Sequence, residues 1–99
     1  MRYKELKYRD KAHTNQSEIN DILTNQKFYW LIDSEIENAQ IEIKNQTIIW
    51  NGGNFYSGDW HYGIFRDGKF YGNWENGIWE GGDFRGKWQS GIGLHDIKK

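Results

Sequence analysis

Three histidines, His13, His61 and His95, are the side chains best suited to bind a metal or move a proton at neutral pH. They fall in three unlike contexts, so their spacing predicts no shared metal site, and solvated or hydrogen-bonded imidazoles are expected. Asp59, Asp67, Glu75, Glu80 and Asp83 fall at turn or outward positions near rings. Paired carboxylates can divide acid and base work. Their spacing singles out no pair, and the need to keep a sticky β-surface soluble accounts for them. Ser90 has no histidine near it in sequence to activate it. Cysteine is absent, which removes thiolate nucleophiles, thiolate metal ligands and disulfides while leaving the redox compartment open. The glycines punctuate rings and never open a helix, so no phosphate cradle is present. The expectation is a protein that is not an enzyme, with no catalytic residue, no metal and no cofactor.

What positions these groups is a repeat. All 12 glycines lie between Gly52 and Gly93. Within that stretch Trp50, Phe55, Trp60, Phe65, Phe70, Trp74, Trp79, Phe84 and Trp88 recur at steps of five, shortened to four at Phe70–Trp74 and Phe84–Trp88. Such self-similarity means that one small unit is reused. Phe70-x-Gly72-x-Trp74 and Phe84-x-Gly86-x-Trp88 match one another fourteen residues apart. A glycine between two rings on one strand face leaves a gap that a neighbouring ring can fill.

Two geometries compete for this stretch. Asn76-Gly77 and Asp67-Gly68 carry the signal of two-residue type I′ hairpin turns. On that reading Trp74 faces Trp79 with Glu75 opposite Ile78, as in the designed tryptophan-zipper hairpins they resemble, and Phe65 faces Phe70 with Arg66 opposite Lys69. Upstream, Gly53, Gly58, Gly63 and Gly68 fall one per pentad. Hairpins there would leave strands of about three residues, the bottom of the usual range, so a winding coil suits better.

The ring followed three places later by glycine resembles pentapeptide-repeat proteins over residues 50–93. That resemblance implies a square-sectioned right-handed β-helix with a large apolar residue at each pentad's centre, a register that the four-residue steps break. Phe-x-Gly-x-Trp-x-x-Gly also resembles membrane-occupation-and-recognition repeats, which are successive hairpins, although the longer second half of that unit is lacking. The Trp/Phe-x-x-Gly texture is similar to that of small proteins of large tailed phages.

Ahead of the repeat the grammar differs. Residues 1–27 lack glycine and read as a polar N-terminal segment. Asn15 and Glu18 are spaced as a helix cap and its reciprocal partner, and Ile19, Ile22 and Leu23 follow at helical spacing, predicting a helix over 16–25. Arg2, Lys4, Lys7, Arg9 and Lys11 face only Glu5 and Asp10, as in a solvated, mobile end. Phe28-Tyr29-Trp30-Leu31-Ile32 reads as a strand. Ile41 with Ile43, and Thr47 to Trp50, read as two more, bent at Asn45-Gln46. The expected organisation is therefore 1–27, a β-repeat domain over 28–95 and a charged tail over 96–99.

At 99 residues this is one domain, and aromatics at 17% must supply much of its buried area. Mean hydropathy is -0.96, yet six tryptophans and a strict period of rings argue against disorder over 28–93. The formal charge of -1 disfavours capture of nucleic acid or anionic lipid. In the repeat Arg66, Lys69, Arg85 and Lys87 face five carboxylates, so no cationic groove tracks a nucleic-acid backbone. No apolar run is long enough to span a membrane or act as a signal peptide. The expected site is the cytoplasm, that of a host or a virion assembled there if the chain is phage-derived.

The fold expected is mainly β: a small aromatic-glycine body wound as a β-solenoid-like coil, with consecutive hairpins in a meander as the alternative, and one short N-terminal helix. The ladder rings are expected to be core. Tyr56, Trp60, Tyr62, Tyr71 and Trp79 form the candidate interaction surface. The leading expectation is a non-catalytic interaction or assembly protein that meets a protein partner or its own copies through a rigid β-surface or an open sheet edge. The charged end Asp96-Ile97-Lys98-Lys99 is the alternative, an edge protection. A carbohydrate-binding module stacking glycans on Trp60, Trp79 or Tyr71 is the second class, and an inhibitor of a host enzyme the third.

Overall fold

Short strands bounded by glycine corners turn the chain about every five residues, and after three turns it lies over its own start. The computed structural model describes residues 1–93. Its elements in order are β1 (Tyr3–Tyr8), β2 (Lys11–His13), α1 (Gln16–Asn25), α2 (Tyr29–Ile32), β3 (Glu35–Lys44) and β4 (Thr47–Ser57). Eight two-residue strands follow: β5 (Asp59–Trp60), β6 (Ile64–Phe65), β7 (Lys69–Phe70), β8 (Asn73–Trp74), β9 (Ile78–Trp79), β10 (Asp83–Phe84), β11 (Lys87–Trp88) and β12 (Ile92–Gly93). His95 and the 96–99 tail lie outside the described residues, as does the C-terminal edge protection assigned to that tail.

Pairing within the repeat is parallel and vertical. Trp50 pairs with Phe65 and Phe65 with Trp79; Phe55 pairs with Phe70 and Phe70 with Phe84; Trp60 pairs with Trp74 and Trp74 with Trp88. The body is a β-solenoid of three-sided coils, each side stacking one ring on the next. A square section would pair each ring with the fourth one along, and the resemblance is corrected on that point. The four-residue steps do not break the register. Both fall between the second and third sides, so they recur at the same corner and shorten the coil from fifteen residues to fourteen.

The hairpin reading is overturned. Trp74 and Trp79 sit on adjacent sides of one coil and meet edge-on at 5.5 Å and 84°. Ile78 pairs with Ile64, not with Glu75. Type I′ needs positive φ at both central residues, but of Asn76-Gly77 only Gly77 has it, at 129°. Asn76 instead accepts the Gly77 N–H on its own Oδ1 at 2.9 Å, and Asp67 does the same for Gly68 at 2.8 Å. The positive-φ pairs of that turn type occur where no glycine stands, at Arg9-Asp10 and at the expected bend Asn45-Gln46.

The N-terminal region is built into the same sheet. β1 runs parallel to β3, β3 antiparallel to β4, and the order β12-β9-β6-β4-β3-β1-β2 crosses the whole molecule. One buried row spans it: Leu6, Ile41, Trp50, Phe65 and Trp79. Position 27 is thus no boundary of the packed body, and the basic end is a strand, not a mobile tail. Tyr3 and Leu6 supply the apolar side that the charges around them obscure, while Lys4 and Lys7 face outward. Arg2 pins this strand to α2, donating to the backbone carbonyls of Ser34 at 2.8 Å, Leu31 at 3.0 Å and Ile32 at 2.5 Å. Its guanidinium caps the C-terminal end of α2, where the last carbonyls run out of i+4 amide partners.

α1 spans the expected residues, and Asn15 Oδ1 accepts the Glu18 N–H at 2.9 Å. The reciprocal half of the capping box does not form, because Glu18 reaches His13 Nδ1 at 2.9 Å instead. Phe28 to Ile32 is not the expected strand; α2 occupies Tyr29–Ile32, so there are two helices. A short apolar run carries no period to separate helix from strand. Packing decides: one helical turn buries Phe28 and Leu31 and lays Trp30 edge-on against Trp60 at 5.0 Å and 69°. The first coil is therefore covered on two sides by β3 and on the third by α2. Among the described residues no helix is long and apolar enough to cross a membrane.

Candidate functional site

Alternation within each two-residue strand sends one side chain inward and its neighbours outward. Trp50, Phe55, Phe65, Phe70 and Trp74 are fully buried, as the ladder reading requires. So are Trp60 and Trp79, which corrects their place on the candidate interaction surface: indoles 0% and 1% exposed cannot stack on a ligand. Sequence spacing shows the alternation but not that a coil closes on itself. Phe84 and Trp88 are only half-buried, because among the described residues no further coil lies on them.

Tyr56, Tyr62 and Tyr71 point outward and are exposed. Tyr56 and Tyr71 lie against one another on one outer side, tilted by 30° with centroids 5.8 Å apart. The Tyr56 hydroxyl donates to Glu37 Oε1 at 2.9 Å, and that bond to a carboxylate holds its pKa above the usual phenol value. Tyr62 belongs to another place, against Phe28 at 6.1 Å and Trp30 at 5.6 Å.

Beside Tyr62 the coil gathers groups that the sequence reading kept apart. One ligand atom each from Asp59, His61 and Glu75 lie within 4.8 Å of one another. Asp59 and His61 also line a cleft of about 460 Å³ between α2 and the first coil, together with Lys27, Trp30 and Asp33. The signal was present in the fourteen-residue repeat, which sets Glu75 over His61. It becomes readable once pairing is known to be vertical. The other chemical candidates have structural partners: Arg66 Nε lies 3.4 Å from Glu80, Arg85 Nε 2.9 Å from Asp83, and Ser90 donates to the Glu75 carbonyl at 2.6 Å. The ion pair with Asp83 raises the Arg85 pKa. His13 is buried on Glu18, far in sequence and element from His61.

The two ends of the coil differ. Its first turn is roofed by β3 and α2. Its last rung, β10, β11 and β12, pairs on one side only among the described residues, with Ile92 63% exposed. At the far end of the sheet, Lys7, Arg9, Lys11 and Lys44 flank a groove of about 650 Å³, but Asp10 and Glu42 interrupt the charge. No family model matches the chain, and no curated protein or solved structure matches it at a significant level.

Proposed function

We propose that the protein is a non-catalytic binding module that assembles with a protein partner, or with its own copies, through the last rung of its coil. The observation that carries this reading is the asymmetry of the ends among the described residues. Unpaired strand edges are templates for another strand, and proteins that must stay apart cover or charge them. Here one end has a strand and a helix over it. The other offers the half-buried rings of Phe84 and Trp88 beside exposed Ile92. In repeat bodies a terminal unit with an apolar outer face calls for a cap or a second chain.

Sedimentation velocity of the full chain over a range of concentrations tests it, with Ile92→Lys as the edge-blocking variant. The expected result is a species heavier than the 11.8 kDa monomer that returns to monomer in the variant. A monomer at every concentration, unaltered by the substitution, counts against the edge.

A glycan-binding reading keeps one support, the Tyr56–Tyr71 pair, since the Trp60 and Trp79 indoles are buried. Ligand-dependent shifts of the Tyr56 ring resonances on adding oligosaccharides, absent in Tyr71→Ala, would favour it. Tryptophan emission would stay constant in either case.

A further inference from the structure

We infer that Asp59, His61 and Glu75 bind one divalent transition-metal ion, with zinc the best fit, on the outer surface of the first two coils. This inference is independent of the edge reading. Vertical pairing of Trp60 with Trp74 sets the residue after each in one column, leaving His61 Nε2 3.9 Å from Glu75 Oε1. Asp59 precedes Trp60 on the same outward side and completes the triad, with ligand atoms within 4.8 Å of each other.

Three separate elements hold these groups. Asn73 Nδ2 of β8 donates to Asp59 Oδ1 at 3.1 Å. The Glu75 N–H bonds the Trp60 carbonyl at 2.9 Å. Trp30 of α2 lies parallel to the His61 ring at 5.8 Å and 11°, which restrains the imidazole plane.

The electrostatics point to a missing positive charge. Two other carboxylates on the coils each have an arginine beside them, Glu80 with Arg66 and Asp83 with Arg85. Among the described residues no lysine or arginine forms an ion pair with Asp59 or Glu75, and the one ionic partner of Glu75 is His61. Two carboxylates converge on one imidazole. A dication answers that arrangement.

One imidazole nitrogen with two carboxylate oxygens suits zinc and its first-row neighbours, whereas calcium and magnesium want six or more oxygens. Ligand bonds of about 2.0–2.2 Å require the three side chains to close in by small rotamer changes, which exposed groups can make. His61 and Glu75 side chains are 46% and 39% exposed. A fourth position stays open to water or to a ligating group of a partner.

Calorimetric titration of the full chain with zinc chloride tests the site, beside Asp59→Asn, His61→Ala, Glu75→Gln and His95→Ala. One equivalent is expected to bind in the micromolar range. Each of the first three variants should weaken it by about tenfold or more, and His95→Ala should leave it unchanged. Zinc should also raise the melting temperature of the wild type, and not of the triple variant, because it binds only the folded arrangement. The Asp59, His61 and Glu75 variants replace solvent-accessible groups, and melting curves without metal verify that every variant is folded. Absence of saturable binding, or binding that Asp59→Asn and Glu75→Gln leave intact, overturns the proposal.

Discussion

Trp74 lies flat on Trp60, ring centroids 5.2 Å apart and planes 6° from parallel, although fourteen residues of chain separate them. Trp88 lies on its other side at 5.3 Å and 8°. Within a coil the contacts are edge-on instead, with Trp74 meeting Phe70 at 5.5 Å and 81°. Phe65, Phe70 and Trp74, the rings of the second coil, are each sandwiched along the axis and fenced across it, the offset-stacked and edge-to-face geometries that aromatic quadrupoles favour.

Trp74→Ala should cost about 3–5 kcal/mol, comparable to the whole stability of a domain of this size. Trp88→Ala removes an equal volume from the half-buried end and should cost clearly less. Denaturant unfolding of both variants checks it. Equal losses would mean that the stack is not what holds the coils.

Gly77→Ala should destabilise by about 1–3 kcal/mol, since L side chains avoid that backbone region. Its φ is 129°, and an added Cβ would sit 2.6 Å from the Gly63 carbonyl oxygen and 3.0 Å from the Trp60 indole nitrogen. Gly52→Ala is the contrast: its Cβ would meet only the Gln40 side chain at 3.4 Å, without positive φ. Restricting the unfolded chain there should leave stability unchanged or raise it by about 0.4–1 kcal/mol. Melting curves of the two variants decide.

Arg2→Ala should cost about 1.5–3 kcal/mol, the range of hydrogen bonds to a charged group. Arg2→Lys should recover only part, because an ammonium cannot reach three carbonyls as a planar guanidinium does. Hydrogen exchange should show the loss first at the Asp33 and Ser34 amides, which close α2 onto Tyr29 and Leu31.

Tyr56 should titrate above an ordinary phenol, and Glu37→Gln should bring it down, because the hydrogen bond to Glu37 is the first cause of its shift. A raised phenol pKa means that the neutral form is favoured on folding. The contribution is present below the unfolded value and is lost as pH rises through the folded one, a window above about pH 10. Resonances of Tyr56 followed from pH 8 to 12 check the direction.

The repeat was legible because hydrogen-only corners and large rings at a near-constant step leave few other ways to bury the rings. The helix over 16–25 was legible too, from its cap at Asn15 and its Ile19, Ile22 and Leu23 spacing. Trp60 and Trp79 were misplaced outward, since nothing local distinguishes a ring on an open sheet from one inside a closed coil. Phe28 to Ile32 was misread because a run of five apolar residues fits either backbone.

Amino-acid order alone determined that the rings recur as one ladder and that the residues beside them face the other way, through alternation and the step between rings, for those are properties of a few neighbouring residues. Tertiary structure alone decided that the coil has three sides, that β1, β3 and α2 roof its start, and that Asp59, His61 and Glu75 converge. Each of these depends on which distant backbone a strand edge pairs with, and that choice is settled by the packing of whole coils on one another.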